Sequence, residues 1–106
     1  MMTTRTPREW PKHRDYVRGH KCLTPGCKNR DIEFAHVRTG TDGGVGLKPS
    51  DWFGVPLCHA CHARQHRIGE AAYERESGVS MRVAAERLAM SSPDLKMRCA
   101  MGEWGA

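Results

Sequence analysis

Pro56-Leu57-Cys58-His59-Ala60-Cys61-His62-Ala63-Arg64-Gln65-His66 is the stretch on which the reading of this chain turns. Its opening residues close a segment, Asp51–Leu57, that suits a strand kept short or edge-like by Pro56. Beyond Cys61 the composition changes. Residues 62–77 contain no Pro and are rich in Ala, Glu, Arg and Gln, which predicts a helix over His62–Ser77 with Gly69 as a tolerated weakness. The two cysteines therefore fall where a strand enters a helix. His62 and His66, four apart, project from one helix face, and such a pair can grip a single divalent ion.

Upstream, a second cysteine pair, Cys22-x4-Cys27, lies thirty residues before Cys58 and encloses the turn signal Pro25-Gly26. Two turns that each present two sulfurs suit one tetrahedral ion, the geometry of structural Zn²⁺. Two disulfides are the competing reading. The lack of a secretory signal at the Arg-studded N-terminus argues for reduced thiols. Cys99 is left over, as a packing residue or free thiol.

Between the pairs, Ile32-Glu-Phe34-Ala-His36-Val37 is β-rich and partly alternating, a strand. It leads into a Gly-rich loop over Thr39–Gly46. If the two strands form a hairpin packed on the helix, His36 faces His62 and His66: a metal on the helix, an imidazole on the strand, and a loop open to a phosphodiester. Pro11 suits the first turn of a helix through Arg18, stopped by Gly19. His13 and His20 are placed at the surface by default. Gly78 and Ser80 suit a helix C-cap and N-cap, and Met81, Ala84, Ala85 and Leu88 form one apolar helical face. Ser92-Pro93 starts a last short helix.

With 106 residues the chain has room for about one core. No run approaches the roughly 18 apolar residues of a membrane span. Eleven Gly, six Pro and seven aromatic residues describe a loop-rich domain with a modest core, which a metal would staple. Eight of the 17 Lys and Arg, but two of the 12 Asp and Glu, lie in residues 1–30, so the net +5 is +6 at the front and −1 over the remaining 76 residues. A basic front suits a polyanion such as DNA.

Taken in order, Phe34-Ala-His-Val-Arg38, Gly43-Gly44, Lys48-Pro-Ser-Asp51, Pro56-Leu-Cys58, Cys61-His62 and His66 resemble the HNH (ββα-metal) endonuclease superfamily. Within it, the similarity is to a small phage- and prophage-encoded branch that includes a RecA-dependent nuclease. It spans roughly Lys12–Leu88. The resemblance implies an α+β fold, a zinc-stapled ββα-metal (HNH or treble-clef-like) core with flanking helices. It implies that His36 is the general base, that His62 and His66 bind a catalytic divalent cation, and that Cys22, Cys27, Cys58 and Cys61 bind structural Zn²⁺. An imidazole accepts a proton near neutral pH, and a metal stabilises charge on a phosphoryl oxygen. The catalytic ion is Mg²⁺, Mn²⁺, Zn²⁺ or Ni²⁺ without distinction.

Two positions depart from the superfamily. Ala35 stands where many members carry a ligand directly before the base, and the usual loop-bracing Asn has no match, leaving Asp51 as brace or ligand. Arg38 and Lys48 are candidates for holding phosphate or DNA. The expected organisation is a flexible basic arm over 1–10, a nuclease domain over 11–91, and a tail or short helix over 92–106. The expected function is metal-dependent endonucleolytic hydrolysis of DNA; the alternative is a non-catalytic zinc module that binds DNA or protein. DNA is the expected partner, with a recombination or phage DNA-processing protein as a second class. The expected location is the cytoplasm of a bacterial or phage-infected cell.

Overall fold

A computed structural model of the chain describes residues 7–43 and 47–104. Pro11, whose fixed φ suits a first turn, opens α1 (Pro11–Arg18), and Gly19 closes it with its amide on the Asp15 and Tyr16 carbonyls, while the His20 amide binds the Val17 carbonyl. After the Cys22–Cys27 loop come β1 (Ile32–His36) and then a 3-10 turn over Asp51–Phe53 that runs directly into β2 (Gly54–Cys58). The helical segment consists of α2 (His59–Ile68), α3 (Glu70–Ser77), α4 (Met81–Met90) and α5 (Leu95–Trp104).

β1 and β2 form an antiparallel hairpin in which Ile32 pairs with Cys58, Phe34 with Pro56 and His36 with Gly54. Strand alternation assigns Glu33, Ala35, Val55 and Leu57 to one face and Phe34, His36, Gly54 and Pro56 to the other. Helices α1 and α2 pack on both strands, and α4 packs on β2 and the 3-10 turn. Ala35, Val37, Trp52, Phe53, Val55, Leu57, Met81, Ala85, Ala89 and Met97 are buried together. The Phe34 ring lies over Gly54 so closely that a Cβ there would stand 2.1 Å from it, so residue 54 has to be glycine for this pairing.

The structure corrects three expectations. The expected strand over Asp51–Leu57 is a 3-10 turn followed by a strand, so Asp51 sits on a turn facing His36 and not in the ladder. The expected single helix over His62–Ser77 begins at His59 and breaks at Gly69, whose φ of 89° and ψ of 161° no helix accommodates. His13, expected at the surface, is wholly buried, because it lies one turn before Val17 on the packed side of α1. Ser80 caps α4 through its Oγ, 3.2 Å from the Val83 amide, and Gly78 ends α3 in the left-handed region. Of the arm, residues 1–6 lie outside the described residues, as do Gly44–Gly46 of the loop. Arg8 and Trp10 are anchored: the Arg8 guanidinium donates to the Lys48 carbonyl at 2.8 Å, and the Trp10 amide to Asp51 at 2.6 Å. No described helix is long and apolar enough to cross a membrane.

Candidate metal and histidine sites

The four cysteines meet at the start of α2. Pro25 and Gly26 turn the first loop, with Gly26 at φ 79° and the Cys27 amide on the Thr24 carbonyl at 3.1 Å. The Leu23 amide binds the Pro56 carbonyl at 2.8 Å, which sets this loop against β2. Cys58 is the N-cap of α2, its sulfur accepting from the Cys61 amide at 3.4 Å. Ligand atoms of Cys22, Cys27, Cys58 and Cys61 all lie within 4.8 Å of one another, and no disulfide joins them. The sulfurs of Cys27 and Cys58 are 3.8 Å apart. A tetrahedron with Zn–S bonds of about 2.3 Å has S–S edges of about 3.8 Å, so the donor set fits a structural zinc ion.

The protonation of the cluster points the same way. Burial, with the neighbouring sulfurs, pushes the Cys61 thiol up to about 12. Burial also acts against the Cys58 thiolate, but hydrogen bonds from Asn29 and the Cys61 amide outweigh it and bring Cys58 down to about 7. Four crowded sulfurs cannot all ionise unaided, and a dication is the partner that deprotonates a ligating thiol outright.

A second constellation lies on the α2 side of the hairpin. Glu33 accepts from Nδ1 of His62 through one oxygen and from Nδ1 of His59 through the other, each at 2.8 Å. With Nδ1–H donating, His62 Nε2 carries a lone pair, and it stands 3.1 Å from His66 Nε2. Two imidazole nitrogens bound to one ion at about 2.1 Å stand about 3.0–3.4 Å apart. The bonds from His59 and then His62 hold the Glu33 carboxyl below its usual range, and Glu33 in turn raises His59.

A third constellation surrounds His36. Its Nε2 donates to Asp51 Oδ1 at 2.9 Å, while Asp51 Oδ2 accepts from the Trp10 amide at 2.6 Å and from Arg14 at 2.7 Å. Asp51 is 2% exposed. Burial opposes its charge, but the bonds to His36 and Trp10 and the Arg14 charge prevail, and its carboxyl lies below the usual range. The Phe34 ring meets the imidazole edge to face, with centroids 4.9 Å apart. Arg8, Arg14, His36, Lys48 and Asp51 line a small cleft of about 150 Å³.

His36, His62 and His66 do not form one ligand set with all atoms within 4.8 Å. Among the described residues, the cysteine set is the one group of three or more His, Cys, Asp or Glu ligands within such a distance. The physical reason is strand alternation: Glu33 and His36, three apart, leave β1 on opposite faces, so α2 meets Glu33 while His36 turns to Asp51. Ala35, 1% exposed, supplies no ligand. Lys48 is exposed at the His36 cleft; Arg38 is exposed, with its amide on Glu70 at 2.7 Å. Sequence reasoning passed over Glu33, Arg14 and Trp10. For Glu33 a signal existed, since it shares a strand face with the buried Ala35.

A family model described as "Protein of unknown function (DUF968)" matches residues 3–92, and the chain belongs to that family. No curated protein and no solved structure matches it.

Proposed function

We propose that this DUF968 protein is a metal-dependent DNA endonuclease of the HNH type. The observation that carries the reading is the pairing of His62 Nε2 with His66 Nε2 at 3.1 Å, a hydrogen-bonded spacing that two imidazoles sharing one cation would also take, just beyond the cysteine cluster. In this reading His62 and His66 would hold a divalent cation, which when bound would supply charge neutralisation to a phosphodiester. His36, steered by Asp51, takes the proton of the attacking water through Nδ1, the nitrogen not engaged by the carboxylate. Arg14 and Lys48 beside it supply positive charge for a phosphate, and Arg38 serves the loop. The four cysteines hold Zn²⁺ as a structural pin.

Purified protein with Mg²⁺, Mn²⁺ or Ni²⁺ is expected to nick plasmid DNA, and His36→Ala to abolish nicking while keeping the circular-dichroism spectrum. Equal residual cleavage by both proteins would overturn the assignment. A second reading, a zinc-stapled DNA-binding module without catalysis, is favoured by one observation: His36 and the α2 pair belong to separate hydrogen-bonded networks. It expects DNA binding and one tightly held zinc, with no cleavage in any metal.

A further inference from the structure

A cleft lies along the first cysteine loop. It has a volume of about 780 Å³ and runs from the end of α1 to the start of β1. Arg18, Lys21, Lys28 and Arg30 line it, and no acidic side chain does. All four are exposed. Arg18 is paired with Asp15, whereas Lys21, Lys28 and Arg30 have no ion pair among the described residues. Even above a zinc tetrathiolate of formal charge −2, the three unpaired cations leave the cleft at about +1. Elsewhere Arg8, Arg14, Arg64 and Arg82 are held in ion pairs, and the remaining described Lys and Arg do not gather in one acid-free cleft of this kind.

The walls also say which polyanion fits. No Phe, Tyr or Trp lines the cleft, and its one aromatic ring, His20, already bonds the Tyr16 carbonyl and packs edge-on against Tyr16, so it offers little platform for unstacked bases. Its rim at Gly26 is open, with nothing within 4 Å of where a Cβ would be, so backbone can approach a ligand there. Charge without stacking groups reads phosphates and not bases. We infer that this cysteine-loop cleft is a docking groove for the sugar-phosphate backbone of duplex DNA, separate from the His36 and His62–His66 sites. The inference rests on the DNA reading above for its partner, but not on catalysis.

The test is fluorescence anisotropy of the full-length zinc-loaded protein on a labelled mixed-sequence duplex, without added divalent ion, titrated between about 50 and 200 mM salt. Each phosphate contact contributes about −0.9 to the slope of log K against log salt. The combined variant Lys21→Ala, Lys28→Ala, Arg30→Ala should reduce the magnitude of the slope by about 2 to 3, with zinc content and melting temperature unchanged. Lys21→Arg with Lys28→Arg should keep the wild-type slope, which separates charge from folding. An unchanged slope in the alanine variant would overturn the proposal. So would an equal loss from Arg75→Ala with Arg87→Ala, two exposed cations of α3 and α4, or tighter binding of a single strand of the same length. Wild type that binds with the expected slope and never cleaves would support the groove and sink the nuclease reading. A nuclease whose slope ignores these three residues would do the reverse.

Discussion

Glu33 shows how one carboxylate can orient two imidazoles at once. By taking Nδ1–H of His62, it fixes which nitrogen is free and where the ring points, and it holds His59 with its other oxygen. Carboxylates that support a ligating imidazole in this way are worth about 10–100-fold in metal affinity. Glu33→Ala is therefore expected to weaken Mn²⁺ or Ni²⁺ binding, measured by isothermal titration calorimetry, by about that factor, and to leave the cysteine-bound zinc in place. An affinity unchanged within error would show that His62 and His66 act without it. The difference in legibility at this scale is physical. Cys58-x2-Cys61 and His62-x3-His66 stand out because their side chains are rare and their spacing is local. Glu33 is an ordinary strand residue whose role appears only when register brings it to α2. His13 carried a better clue, four residues before Val17 on the same helical side, but a histidine in a basic segment looks solvent-facing.

Among the elements, the break between α2 and α3 and the clasp on α1 are the most open to experiment. Gly69 lies at φ 89° and ψ 161°, a region that side chains beyond hydrogen avoid. Gly69→Ala should lower stability by about 1–3 kcal/mol, read from urea unfolding. Were it neutral, the two helices would tolerate fusion. Composition predicts helix on both sides of Gly69, correctly, but propensity carries no information about a change of direction. His13 donates or accepts at Ser92 Oγ through Nδ1 at 2.9 Å, and its buried Nε2 has no hydrogen-bond partner among the described residues. Burial keeps this ring neutral and His20 adds to that, against the opposite pull of Asp51 and Asp94, so its pKa lies below the ordinary 6.5. The unfolded chain thus takes up a proton that the native chain refuses, and this contribution to stability is present above about pH 6.5 and declines as pH falls below it. Urea midpoints between about pH 7 and 5 should fall for wild type and fall less for His13→Gln; parallel curves would place the pH dependence elsewhere.

The molecule as a whole is a two-stranded hairpin covered by helices, and a hairpin alone is marginal in water. The cysteine cluster joins its two ends: the loop before β1 and the junction after β2 share one donor set. Metal binding and folding should then be coupled. Cys58→Ser, or chelation of wild type, is expected to abolish the cooperative thermal transition. Persistence of that transition in metal-free protein would mean that the apolar core suffices. The cysteine cluster, hairpin and helix were legible together because the cysteine spacing and the passage from strand to helix are written in adjacent residues. The separation of His36 from the α2 pair was not, since it depends on which face of β1 each side chain takes. The clasp of α1 has a further consequence for how the chain is made. Tyr16 and His13 rest on Ser91 and Ser92, 75 and 79 residues later. Contacts so distant in sequence form slowly, and on the ribosome α1 must wait for the Ser91–Ser92 segment before it has a seat. A nascent chain stalled before Ser91 would hold its sulfur knot complete and α1 undocked, an intermediate that chaperones and proteases would be the first to meet.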